Sequence, residues 1–210
     1  MFWHLLLAHL IADYPLQPSW MVRNKIRPRV LLLHAAVHFL VVLVVLLPAS
    51  AQWWPYLLAI AAAHFLIDTG KNWFTIHRPG WVVGPYLVDQ ACHVLSIILV
   101  NLWASGQVAA AEPYLDDRLV MIAIGFLLVT YVYLVTERVF TSITPLARFG
   151  TDVQAWERMF IRAVLLAVLL LAWDARSAAL AGLTVLLPYQ ATRSGLRVLL
   201  IDLIVTLCTA

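Results

Sequence analysis

Long apolar runs broken by short polar stretches set the pattern of this chain. They predict helices over about 2–16, 30–47, 56–71, 86–104, 118–137, 158–173, 178–190 and 196–209. Several of these runs fall short of the roughly 20 residues that cross a bilayer. Helix one and the last two are therefore expected to be partial, tilted or re-entrant. Pro188 favours a break inside the last apolar region. The expected fold class is all-α, a polytopic transmembrane bundle of about six to eight helices. One membrane domain over 1–210 is expected, with 1–104 as the site-bearing half and 105–210 as a supporting half.

Polar residues interrupt the first four runs in a regular way. The pairs are His9/Asp13, His34/His38, His64/Asp68 and Asp89/His93. Each is spaced i, i+4, which puts both side chains on one helix face, one turn apart. Two histidines at this spacing can serve a single metal, as they do in zinc-protease helices.

Composition changes this picture from helical to membranous. The chain is 63% hydrophobic and 12% charged, with mean hydropathy +0.89, against about 25% charged in an ordinary soluble domain. Aromatic groups such as "QWWPY" at 52–56 suit interfacial belts. The two cysteines, Cys92 and Cys208, offer neither a disulfide framework nor a CxxC site. The N-terminal run lacks a basic leader and contains Asp13, so it does not read as a cleaved signal peptide.

Charge placement then orients the helices. Arg23, Lys25, Arg27 and Arg29 follow helix one, Lys71, His77 and Arg78 follow helix three, and Arg138 and Arg148 follow helix five. The intervening loops carry only Arg118, so the basic loops are expected in the cytoplasm and the N-terminus outside. "RNKIRPR" also suits anionic lipid headgroups. With helices one and three running inward and two and four outward, all four pairs fall toward the cytoplasmic side at similar depth.

An ionised Asp at a helix centre costs about 2.5–3.5 kcal/mol on insertion scales. Asp13, Asp68 and Asp89 are better satisfied facing one another across a cation than facing lipid. His9, His34, His38, His64 and His93 with these three acids exceed the ligands of one closed tetrahedral zinc site. The set suits one or two divalent transition metals, zinc, iron or manganese, with a bridging carboxylate or with acids that orient the histidines. Asp13, Asp68 or Asp89 can alternatively act as general base.

"HLIADYPLQ" (9–17), "LLLHAAVHFL" (31–40), "HFLIDTGK" (64–71) and "LVDQACHVL" (87–95) appear in an order that resembles a bacterial membrane-protein family, domain of unknown function 3307. "WERMFIR" (156–162) and "LPYQATRSGLR" (187–197) match that family more loosely, and "VLLIDLIVTL" (198–207) departs from it. The resemblance implies a small multi-pass protein of the bacterial inner (plasma) membrane. The His/Asp helices are also similar to a broader group of membrane-bound metal-dependent hydrolases, which implies such an activity here.

The leading expectation is a metal-dependent hydrolase with a His/Asp site near the cytoplasmic side. Expected partners are membrane lipids and a lipid-like or anionic substrate such as a phospholipid, prenyl phosphate or acidic peptide; no nucleic acid is expected. Lys71, three residues after Asp68, is placed to hold an anion or to snorkel to headgroups. Gln17 and Gln90 are read as supporting hydrogen-bond groups, His4 as an outer-interface residue and His77 as solvated. Glu137, Arg138, Glu157 and Arg158 suggest an interhelical clasp, with lipid phosphate as the other role of Arg158. Asp202 reads as a lone acid near Arg193 or Arg197, outside the active site. The alternatives are a metal-ion or proton-coupled transporter, a membrane di-iron oxidase or hydroxylase, and a non-enzymatic membrane scaffold.

Overall fold

The structure, a computed structural model, describes residues 1–47, 49–108, 113–141, 152–171 and 196–209. Helices are α1 (Phe2–Asp13), α2 (Ser19–Asn24), α3 (Pro28–Val45), α4 (Ser50–His77), α5 (Val83–Ser105), α6 (Asp117–Leu127), α7 (Tyr133–Thr141), α8 (Asp152–Leu171) and α9 (Leu196–Thr209). A π-helical turn, Leu128–Val132, joins α6 to α7. No strand occurs among the described residues. Three helical stretches, Pro28–Val45, Val83–Ser105 and Asp117–Phe140, are long and apolar enough to cross a membrane. The expected helix over 178–190, its break at Pro188, and Arg193 lie outside the described residues. The chain divides into two compact units, Met1–Ile124 and Gly125–Ala210.

Local chemistry sets the helix ends of the first unit. Helix α1 stops at Asp13, three residues short of the expected 16, because Pro15 has no N–H to continue the ladder, and the Leu16 N–H takes the Ile11 carbonyl instead at 3.1 Å. Pro18 precedes α2, a single short helix inside the basic segment that the apolar pattern does not reveal. Pro28 opens α3 at the first position, where a missing N–H costs nothing. Helix α4 begins at Ser50 and runs through Pro55, so "SAQWWP" is helical rather than a loop. Its 28 residues span about 42 Å at 1.5 Å per residue.

Helices α1, α3, α4 and α5 form a closed ring, α1 touching α3 and α5, and α4 touching the same two. Each presents one inward stripe. On α3 it is Leu31, His34, Ala35, His38, Val42 and Val45; on α5 it is Tyr86, Asp89, His93, Ile97, Val100 and Ala104. Successive helices run in opposite senses, so each stripe has an apolar end and a polar end that meet like with like. Leu5, Val42, Leu46, Trp53, Leu57, Ile60, Ile97 and Val100 make the apolar core. Fully buried Ala8 and Ala104 allow close backbone approach. The polar ends gather the four His/Asp pairs. Outward positions such as Leu32, Leu40, Leu66, Val88, Leu99 and Leu102 are exposed and apolar. Buried charge beneath exposed leucine is the inverse of a water-soluble bundle and suits a lipid surround.

His4 departs from its expected place at the outer interface. It is fully buried, its Nε2 lies 2.8 Å from the Leu115 carbonyl oxygen, and its Nδ1 lies 3.5 Å from Asp117 Oδ1. It ties α1 to the segment that leads into α6. His4→Phe strands the Leu115 carbonyl and is expected to cost about 1–3 kcal/mol. Thermal unfolding in detergent reads this, and an unchanged midpoint counts against the tie.

In the second unit, a π-turn leaves backbone groups out of the regular helical ladder. Arg162 Nε donates to the Val129 carbonyl at 2.6 Å, and its guanidinium lies 4.3 Å from the Tyr133 ring centroid. Arg158 donates to Asp202 (3.1 and 2.9 Å) and Glu137 (2.8 Å), and Arg162 Nη1 to Asp202 at 3.0 Å. Asp202 therefore pairs with Arg158 and Arg162, so it is not a lone acid. Glu137 and Arg158 form the expected clasp, while their neighbours Arg138 and Glu157 are exposed. This follows from the geometry: adjacent residues on a helix do not share a face.

Candidate functional site

The ring brings all eight predicted ligands together. All but Asp13 are classed as buried, and the Asp13 side chain is only 7% exposed. Asp13 Oδ1 receives His34 Nε2 at 3.0 Å and His38 Nε2 at 2.9 Å, joining α1 to α3. His64 Nε2 comes from α4 to within 3.1 Å of His34 Nε2, 3.2 Å of Asp68 Oδ2 and 3.7 Å of Asp13 Oδ1. His93 Nε2 of α5 lies 3.5 Å from Asp89 Oδ1 and 3.8 Å from Asp68 Oδ1. His9 Nε2 lies 3.7 Å from Asp13 Oδ2. The rings of His38, His64 and His93 stack in series, with centroids 3.5 and 4.2 Å apart.

Three overlapping donor groups result. They are His9, Asp13, His38 and His64; His34, His64 and Asp68; and Asp68, Asp89 and His93, each with ligand atoms within 4.8 Å of one another. Asp68 belongs to two of them through different oxygens. Oδ2 faces His34 and His64, and Oδ1 faces His93. Ligands held about 2.0–2.1 Å from a tetrahedral ion sit about 3.4 Å apart. The separations here bracket that value. His9 Nε2, His93 Nε2, both Asp68 oxygens and Asp89 Oδ1 are buried and make no hydrogen bond. An unsatisfied buried polar atom costs about 1–3 kcal/mol; a cation held by Asp68, Asp89 and His93 would offset that cost within this group, and one held with Asp13, His38 and His64 would do so for His9. The donor set thus fits a divalent metal ion by its chemistry.

Two lysines complete the cluster. Lys71 Nζ lies 2.6 Å from Asp89 Oδ2, and Lys25 Nζ lies 2.7 Å from Asp68 Oδ2. Lys71 was anticipated beside the site, whereas Lys25 sits in the segment read as a topology and headgroup signal. Its position depends on α2 and on Asn72, whose Nδ2 donates to the Lys25 carbonyl at 2.9 Å. A charge count was the available clue: three buried acids beside histidines that must be neutral to bind metal call for cations nearby.

The two glutamines also reach the cluster. Gln90 Nε2 donates to Asp89 Oδ2 at 3.1 Å and Asp13 Oδ2 at 3.5 Å, while its Oε1 accepts from Tyr14 at 3.3 Å. It therefore serves two candidate ligands at once. In the amide orientation that satisfies both ends of Gln17, its nitrogen donates to the Asp13 carbonyl at 3.2 Å. Its oxygen then accepts from His34 Nε2 at 3.1 Å and Lys25 Nζ at 3.0 Å. His77 ends α4, exposed and away from the cluster.

The first unit is thus a helical ring around a buried His/Asp cluster, with apolar helices long enough to cross a membrane. A family model described as protein of unknown function, DUF3307, matches residues 1–122, and the chain belongs to that family. The match spans the four helices that supply the cluster. No curated protein and no solved structure matches the chain.

Proposed function

We propose that this protein is a membrane-embedded metal-dependent hydrolase of the bacterial inner membrane. Its N-terminus lies outside, and the cluster opens toward the cytoplasmic basic loops. The observation that carries the reading is the convergence of five histidines and three aspartates on one buried centre, with five polar atoms left without hydrogen bonds. Asp68, shared by two donor groups, suits a bridge between two metals. Bound metal would lower the pKa of a water and polarise a carbonyl or phosphoryl oxygen. In the reaction, the water oxygen bonds to that carbon or phosphorus, the bond to the leaving group breaks, and the leaving group departs with a proton. Asp13 or Asp89, when not a ligand, is placed to take the proton from water.

Elemental analysis of protein purified without chelator is the direct test. One to two transition-metal equivalents per chain are expected, and removal by a strong chelator should lower thermal stability. Metal-free protein whose stability ignores added zinc, iron and manganese would overturn the proposal.

A second reading has one observation in its favour. His38, Asp13, His34, His64 and Asp68 form a chain with consecutive separations of 2.9–3.2 Å, which suits a metal-free proton relay. Proton uptake by metal-free proteoliposomes, abolished in His64→Ala, would favour it over hydrolysis.

A further inference from the structure

The two lysines raise a difficulty for a metal centre, because they occupy oxygens that a cation needs. We infer that Lys25 and Lys71 are exchangeable counter-ions: they neutralise Asp68 and Asp89 in the metal-free state and pass to the phosphate of an anionic substrate once metal takes those carboxylates. The inference rests on the metal-centre reading and adds the substrate class.

Charge balance carries the first part. With the histidines counted neutral, as metal ligands must be, Asp13, Asp68 and Asp89 against Lys25 and Lys71 leave one net negative charge on the donor set. One divalent cation turns the balance to one positive charge, and two turn it to three. Three uncompensated charges in a buried site are costly. A phosphate monoester dianion together with a hydroxide cancels them, whereas the single carboxylate of an acidic peptide does not. The chemistry therefore selects phosphate.

Geometry carries the second part. The Asp68 and Asp89 side chains are 1% and 2% exposed, while Lys25 and Lys71 are 13% and 29% exposed. The ammonium groups thus lie between the carboxylates and the outside, where a substrate enters. The lysines reach the centre from separate elements, α4 for Lys71 and the turn after α2 for Lys25. Asn72 holds the Lys25 backbone, and Gln17 Oε1 gives its ammonium a second acceptor 3.0 Å away. Lys71 lies 5.8 Å from the Tyr86 ring centroid, on a face that can receive it when Asp89 turns to metal. Each ammonium can therefore leave its acid without being stranded.

The exchange predicts opposite signs for two measurements on the same variants. In detergent-purified full-length protein, Lys25→Ala and Lys71→Ala should bind manganese about tenfold more tightly than wild type, since a competing cation is gone. The manganese-loaded variants should bind inorganic phosphate at least about tenfold more weakly. Lys25→Arg and Lys71→Arg should retain phosphate binding, and metal-free wild type should bind none. Lysines with a merely structural role would weaken both affinities together, and that result overturns the inference. So does phosphate binding that ignores both Ala variants. Wild type that takes up no metal overturns the metal centre as well, which separates the two failures. Competition by phosphatidic acid in micelles against glycerol phosphate then identifies the source: a preference for the former assigns the phosphate to a lipid, and equal competition assigns it to a soluble ester.

Discussion

Asp68→Ala is expected to disable both donor groups that Asp68 joins, leaving only the group of His9, Asp13, His38 and His64, whereas His93→Ala should remove only the ion held with Asp89. The difference follows from the two oxygens of Asp68, which face different histidines 3.2 and 3.8 Å away. Losing a ligand shared by two of the three donor groups should lower the affinity of those two by more than about 100-fold, the upper range for loss of a mere supporting partner. His93 belongs to one group only. Metal content after dialysis reads the effect directly, and Asp68→Asn adds a control of nearly equal volume. If Asp68→Ala loses no more metal than His93→Ala, the carboxylate does not bridge, and Asp68 is a ligand of one group only.

The second large effect lies in the other unit. Asp202→Ala withdraws the carboxylate that two buried guanidinium groups share, and it is expected to destabilise the protein by about 3–5 kcal/mol. Arg162 is the sharper case, being 1% exposed with Nη2 already unpartnered. Exchanging charge for apolar volume at both ends, as in Arg162→Met with Asp202→Leu, should recover much of the loss, because removing a whole buried pair is often neutral. Thermal unfolding in detergent distinguishes the cases. A double variant as unstable as Asp202→Ala would mean that the arginine acts through its bond to Val129 and not through its charge.

Much of the site was legible because helical periodicity is rigid. A spacing of four fixes a face, and alternating helix direction fixes depth, so His9/Asp13 through Asp89/His93 could be assembled on paper. What escaped was set by tertiary geometry. Lys25 lies on a turn with no period of its own, and its long side chain reaches back to a helix 43 positions on. Gln90 was expected as a supporting hydrogen-bond group, but its reach to both Asp89 and Asp13 comes from a flexible amide and not from helical register. Arg162 shows no spacing that marks a role; the π-turn at Leu128–Val132, which no residue pattern announces, is what offers it the Val129 carbonyl. The helix ends went astray at prolines. Pro15 stopped α1 early, while Pro55 failed to stop α4.

The order in which the counter-ions occur along the chain bears on biogenesis. Synthesis delivers Lys25 before Asp68, and Lys71 before Asp89. Each of these acids thus emerges from the ribosome after the cation it will meet. Asp13 alone precedes all of its hydrogen-bonding partners, and it waits only until α3 supplies His34, 21 residues later. A nascent bundle inserted helix by helix therefore never holds more than one such acid awaiting its partner. The sequence that builds a centre rich in charge also staggers its arrival in the lipid.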